Sequence, residues 1–121
     1  MHRVPEEVRE LSALLKSELD TWPGITYRKM FGMTAAYRKG VIFAGLPDKR
    51  ALITERSVIF KFAKQSPSLE KRLKADGRVL AGEQPGQMWF GFELESVRDI
   101  NSALAWLNLA YEAAAAKPRK R

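Results

Sequence analysis

The hydrophobic period of this chain changes once, at Trp22-Pro23-Gly24, and that change constrains the fold more than any other feature. Upstream, Val4, Val8, Leu11, Leu15 and Leu19 recur at spacings of four, three, four and four, which sets them on one stripe of a helix. Downstream, β-branched and aromatic residues take over. Proline fixes φ and lacks a donor, and glycine accepts positive φ, so the chain must turn before Ile25. Pro5 is tolerated in the first helical turn, where Glu6 and Glu7 favour the positive end of the helix dipole. Leu14 is expected to widen the stripe and Trp22 to seal its end. An apolar stripe of this kind needs a second layer to cover it, and the strands that follow are the only candidates of sufficient size.

Residues 25 to 38 are rich in β-formers and broken at Gly32, which reads either as two short strands or as one strand bulged at that glycine. Lys39-Gly40 predicts a tight hairpin between strands 33 to 38 and 41 to 46. Pro47-Asp48-Lys49-Arg50 ends the second of these, and 51 to 56 reads as an irregular or short extended link. In the next strand Val58, Phe60 and Phe62 fall on one face, Ile59 and Lys61 on the other. Ser66-Pro67 starts a second helix over about 67 to 75, which Asp76-Gly77 is expected to stop in the left-handed conformation. A brief edge strand at 78 to 81, a loop at 82 to 86 and a strand over 87 to 94 follow, with Met88, Phe90 and Phe92 facing one way and Trp89 the other. Ser96 and Asp99 form a capping pair for the last helix. Its buried stripe is read as Val97, Ile100, Leu104, Leu107 and Tyr111, with Trp106 beside it, and Pro118 ends it. The fold class is α+β, a two-layer arrangement in which helices cover an antiparallel sheet. One domain is expected over residues 1 to 116, followed by a basic, disordered tail at 117 to 121.

Little in the chain specifies a reaction. A length of 121 residues with 45% hydrophobic content supports one core without staples, and the absence of cysteine removes thiolate nucleophiles, disulfides and thiolate metal sites. The single histidine, His2, sits at a terminus expected to be mobile, so triad catalysis and histidine metal sites have no supply. Glu93 and Glu95 read as a solvated strand edge leading into the helix cap, and the 82 to 86 loop lacks the lysine and following helix of a phosphate loop. No apolar run approaches a membrane span and no secretory signal is visible, so a cytoplasmic protein is expected, with no membrane partner. No catalytic residue, cofactor or metal is predicted.

Charge is more informative. Of the formal net charge of +7, residues 1 to 21 contribute −2, residues 22 to 64 contribute +7, residues 65 to 116 contribute −2 and the tail contributes +4. Arg28, Lys29, Arg38 and Lys39 interleave with Tyr27, Phe31 and Tyr37, the composition with which single-strand nucleic-acid binders hold phosphates and stack bases. These cations, with Arg119, Lys120 and Arg121 of the tail, are the candidate contacts for a nucleic-acid or protein partner. A solvated face that keeps a small domain soluble explains the same charges more simply. Within Arg28-Lys29-Met30-Phe31-Gly32, Met30 and Phe31 are read as core anchors and Gly32 as a kink; Tyr27 and Tyr37 lean the same way.

The chain resembles the N-terminal domain of TfoX/Sxy-type bacterial competence regulators. The resemblance rests on Pro23-Gly24, on Arg28-Lys29-Met30-Phe31-Gly32, on Tyr37-Arg38-Lys39-Gly40-Val41-Ile42-Phe43-Ala44, on Ser57-Val58-Ile59-Phe60-Lys61 and on the closing Trp106-Leu107-Asn108-Leu109-Ala110-Tyr111 segment. It implies an α-β(3)-α-β(2)-α order, shared with YjbR-like proteins and secretion chaperones, and brings no set of catalytic residues. The expected function is a small noncatalytic binding or regulatory domain. Two alternatives are a nonspecific nucleic-acid binder using the basic sheet region and tail, and a chaperone-like homodimer. The chain departs from many relatives at Gly32-Met33-Thr34, where paired glycines are common, and in the length of its 47 to 56 link.

Overall fold

The computed structural model describes residues 1–81 and 87–116. The first helix, α1 (Glu6–Leu19), buries Val8, Leu11, Leu15 and Leu19 as its spacing requires. Removing each from water stabilises the fold by about 1.5–3 kcal/mol. Leu14 departs from expectation: it is 50% exposed, being one position off the stripe. Val4 packs with Val8 and Ala51 in a small separate cluster under the start of α1. That cluster is tied down by a two-stranded ladder of β1 (His2–Arg3) with β5 (Arg50–Ala51), so His2 is paired opposite Ala51 and does not sit on a free end.

A six-stranded antiparallel sheet holds the rest, in the order β2-β3-β4-β6-β8-β7, built from β2 (Ile25–Met30), β3 (Met33–Arg38), β4 (Val41–Pro47), β6 (Ser57–Lys61), β8 (Trp89–Glu93) and β7 (Val79–Leu80). With three helices this is the expected α+β class. The expected order carries three strands between the first two helices, whereas the large sheet receives four. The physical reason is at Phe31-Gly32. Both residues have positive φ (55° and 78°), which makes them the two-residue loop of a hairpin in which Met30 lies opposite Met33. Phe31 is therefore 76% exposed at a turn tip and no core anchor, a correction that alternation alone could not supply because turn residues stand outside it. Met30 is half-buried. Gly32 is a turn residue whose carbonyl accepts the Lys49 and Arg50 amides, both at 2.9 Å. Lys39-Gly40 forms a second loop of the same kind, as its composition predicts. Beyond it, β3 and β4 shift register between Ala36 and Tyr37, leaving Phe43 as the extra residue that turns inward.

Residues of one parity in the sheet share a single core with the helices: Ala36, Ala44, Leu46, Val58, Phe60, Phe62, Phe90 and Phe92 pack with Leu11, Leu15 and Leu19 of α1, Leu73 of α2 (Pro67–Ala75), and Ala103, Trp106, Leu107, Ala110 and Tyr111 of α3 (Ile100–Ala116). The opposite face carries the row Arg28, Ala35, Gly45, Ile59, Gly91 and Leu80, one residue per strand. Ser66 caps α2 through the Leu69 amide at 3.2 Å, with Pro67 at the first position. The helix ends at Asp76 in extended backbone (φ −88°, ψ 102°), and neither Asp76 nor Gly77 takes the positive φ of the expected left-handed stop. Asp76 instead accepts the Trp106 indole N–H at 3.0 Å. The Ser96–Asp99 capping box is present, although it heads a short 3-10 turn (Val97–Asp99) before α3, and this turn carries Val97 outward to 64% exposure. Met88 likewise lies just outside β8 and is 41% exposed. Two expectations, the 82 to 86 loop and the disordered tail at 117 to 121, lie outside the described residues.

These local geometries set the expected outcome of three substitutions. A Cβ at Gly32 would stand 2.7 Å from Arg50 Cγ in addition to its positive φ, so Gly32→Ala is expected to cost about 1–2 kcal/mol. Phe31→Asn, which relieves a bulky side chain of the same handedness, is expected to raise the melting temperature instead. Burial pushes the Asp99 carboxyl up, but the Glu95 and Ser96 amides and the Arg78 guanidinium outweigh it and hold the group below its ordinary value. A depressed folded value means stability that is present above the unfolded value and lost as pH falls through the folded one. Asp99→Asn is thus expected to cost about 1–2 kcal/mol at neutral pH, with the gap from the parent closing below about pH 4 in thermal melts.

A candidate binding cleft beside the sheet edge

Where α1 passes the edge of the sheet, its polar flank and the sheet's inner face leave an open cleft of about 360 Å³. The helix contributes Arg9, Ser12 and Lys16, at spacings of three and four that keep them on one side of the buried stripe. Tyr27 and Lys29 come from β2, Thr34 from β3, and Leu46, Pro47 and Asp48 from the end of β4. Tyr27 and Lys29 point the same way because strand side chains alternate, and their ladder partners Ala36 and Thr34 belong to the core-facing parity.

The cleft is electrostatically one-sided. Among its lining residues Arg9, Lys16 and Lys29 bring cations to it, Arg28 lines it from the strand with the side-chain parity of the opposite face, and Asp48 is the single carboxylate. Lys29 Nζ donates to Asp48 Oδ2 at 2.6 Å and lies 3.4 Å from Thr34 Oγ1, while Arg9 donates to Asp48 Oδ1 at 3.3 Å. The Lys29 hydrogen bond, helped by Arg9 and opposed by partial burial, holds the Asp48 carboxyl below its ordinary value. It stays ionised throughout the physiological range. Lys16 Nζ sits 4.3 Å over the Tyr27 ring and 3.6 Å from Asp20, whose carboxylate accepts the Tyr27 hydroxyl. Burial, and then that acceptor, push the Tyr27 phenol up, so it remains a proton donor well into the alkaline range. Ser12 and Thr34 are buried hydroxyls, 5% and 8% exposed, at the cleft's inner wall. Chemically this is a set of donors, charged and neutral, around a displaceable carboxylate. It suits holding an anion.

The predicted contact residues separate. Arg28 and Lys29 are at the cleft, Arg28 exposed on the strand between Tyr27 and Lys29. Arg38 is elsewhere and structurally engaged: it is 19% exposed, donates to the Tyr111 carbonyl at 3.1 Å and stacks 3.9 Å above the Tyr111 ring. Lys39 occupies a hairpin turn, where its amide donates to the Gly24 carbonyl at 2.9 Å. Tyr37 is half-buried on the opposite face of the sheet from Tyr27, because the two differ in parity across the ladder. Arg119, Lys120 and Arg121 lie outside the described residues. Sequence reasoning missed Arg9, Ser12, Lys16 and Asp48. The available signal was the 9, 12, 16 spacing along the helix flank, which summing the helix to a net −2 concealed.

The carboxylates considered for acid–base work do not converge. Glu95 pairs with Arg56 at 3.4 Å, Asp99 caps α3, and Glu93 ends β8. Among the described residues no group of three histidine, cysteine, aspartate or glutamate side chains comes together, and no helix is long and apolar enough to cross a membrane. Arg38→Gln is expected to lower thermal stability by about 1–3 kcal/mol, since it leaves a Tyr111 carbonyl and ring without their cation, and to leave ligand binding in the cleft unchanged. No protein-family model, curated protein or solved structure matches the chain.

Proposed function

We propose that this chain is a small noncatalytic binding or regulatory domain, of the TfoX N-terminal type, that captures an anionic partner in the cleft between α1 and β2. The observation that carries this is the convergence of Arg9, Lys16 and Lys29 on one cleft with Asp48 as its only carboxylate. A site of about 360 Å³ is within the range that accommodates a small ligand or a few residues of a larger one. The Ser12 and Thr34 hydroxyls supply neutral donors at its wall. In the family reading, the α-β(3)-α-β(2)-α order is extended here by opening the first strand into the β2–β3 hairpin.

Isothermal titration with inorganic pyrophosphate, repeated at low and physiological salt, tests the reading. Binding is expected to weaken with salt, and Arg9→Gln with Lys29→Gln together are expected to weaken it tenfold or more, about 1.4 kcal/mol or above. Equal binding by the double variant and the parent would sink the assignment of the cleft.

A further inference from the structure

We infer that the anionic partner is an acidic, extended peptide segment of another protein, which adds to β2 as a seventh strand of the sheet. This rests on the anion-binding role of the cleft and names its occupant. β2 is one edge of the six-stranded sheet and runs six residues, Ile25–Met30, whereas the other edge, β7, is only two residues long. Among the described residues nothing pairs with the outer side of β2. Its backbone donors and acceptors are a template for an extended chain.

What surrounds that edge selects the partner. A peptide laid along β2 alternates its side chains between the two faces of the sheet. On one face they meet the cleft, with Lys29, Arg9 and Lys16; on the other they meet Arg28, which is exposed beside the small Ala35. Carboxylates are therefore matched on both sides. A second copy of this chain is a poor occupant, because antiparallel β2–β2 pairing sets the Arg28-Lys29 cations of one copy among those of the other, and like charges across a ladder are destabilising. A nucleic acid would satisfy the cations and leave the strand's backbone groups without partners. Asp48 already models the interaction within the chain. Its carboxylate bridges Arg9 and Lys29, and the Lys29 side chain is 76% exposed, so an incoming carboxylate can take its place without disturbing the core.

The test is fluorescence anisotropy of the full chain with a short fluorescein-labelled peptide of alternating glutamate and threonine. The same peptide methylated on alternate backbone nitrogens, a short oligothymidylate, and pyrophosphate serve as comparison probes. The peptide is expected to bind, and backbone methylation to weaken it about tenfold or more, since it removes donors without changing charge. Lys29→Ala is expected to weaken binding severalfold and Asp48→Asn to strengthen it, each with an unchanged far-UV circular dichroism spectrum as the control for folding and a modest fall in melting temperature from loss of the Asp48 ion pairs. Equal binding of the methylated peptide overturns strand addition, and so does tighter binding of oligothymidylate than of the peptide. Self-association that Arg28→Glu enhances would assign the edge to a second copy instead. Pyrophosphate binding without peptide binding sinks strand addition and leaves the anion cleft standing, whereas the failure of both probes sinks both.

Discussion

Phe60 is the residue on which the two layers are assembled. It is fully buried in the middle of the sheet, stacked at 5.6 Å on Trp106 of α3 and at 6.2 Å on Phe90 of the neighbouring strand, with Phe62 edge-on at 5.8 Å. Aromatic groups of this size bury more apolar surface than any aliphatic side chain, and their offset geometries hold a specific orientation between helix and strands. Once Phe60 and Trp106 are in contact, the parity of every inward position in β6 and β8 is set. Trp106 in turn ties its indole to Asp76 at the end of α2, so the second helix is placed by the same contact.

The cations of the chain divide by what they hold. Arg38 closes on Tyr111, whose hydroxyl donates to the Pro23 carbonyl at 2.6 Å, so the end of α3 is fastened to the turn that starts the sheet. Arg56 joins Glu7 at 2.7 Å and Glu95 at 3.4 Å, linking α1 to the segment that follows β8, and the Glu7 hydrogen bond is the main cause of its raised affinity for its proton. Arg78 lies over Phe92 while pairing with Asp99. These three arginines work inside the fold. Arg9, Lys16, Arg28 and Lys29 instead gather where α1 leaves the sheet edge, and that separation makes a local binding surface out of an overall basic composition.

Much of the architecture was legible because burial imposes a period. The stripe from Val8 to Leu19, the alternation Val58, Phe60, Phe62, the Lys39-Gly40 turn and the Ser66 and Ser96 caps each follow from local chemistry, and the structure realises them, whereas Val4 lies before the helix in a cluster of its own. The failures share a cause. Phe31, Leu14 and Val97 were assigned inward because they are apolar, yet a turn tip, an off-stripe helical position and a 3-10 turn each carry their side chains outward. Hydrophobicity indicates what a residue prefers; backbone geometry decides where it points.

The site was half legible. Arg28 and Lys29 stand beside each other in sequence and stay together, whereas Arg38 and Lys39, equally prominent in the basic run, are drawn off to α3 and to a hairpin. Arg9, Lys16 and Asp48 lie in segments that sequence treats as separate, and only the packing of α1 against the end of β4 brings them to one cleft. By itself the sequence determined the helix-then-sheet layout, the inward faces of β6 and β8 and a surplus of positive charge. Tertiary structure alone decided which of those charges neutralise one another and which converge, because charge–charge distances depend on how the elements are packed and not on their separation along the chain.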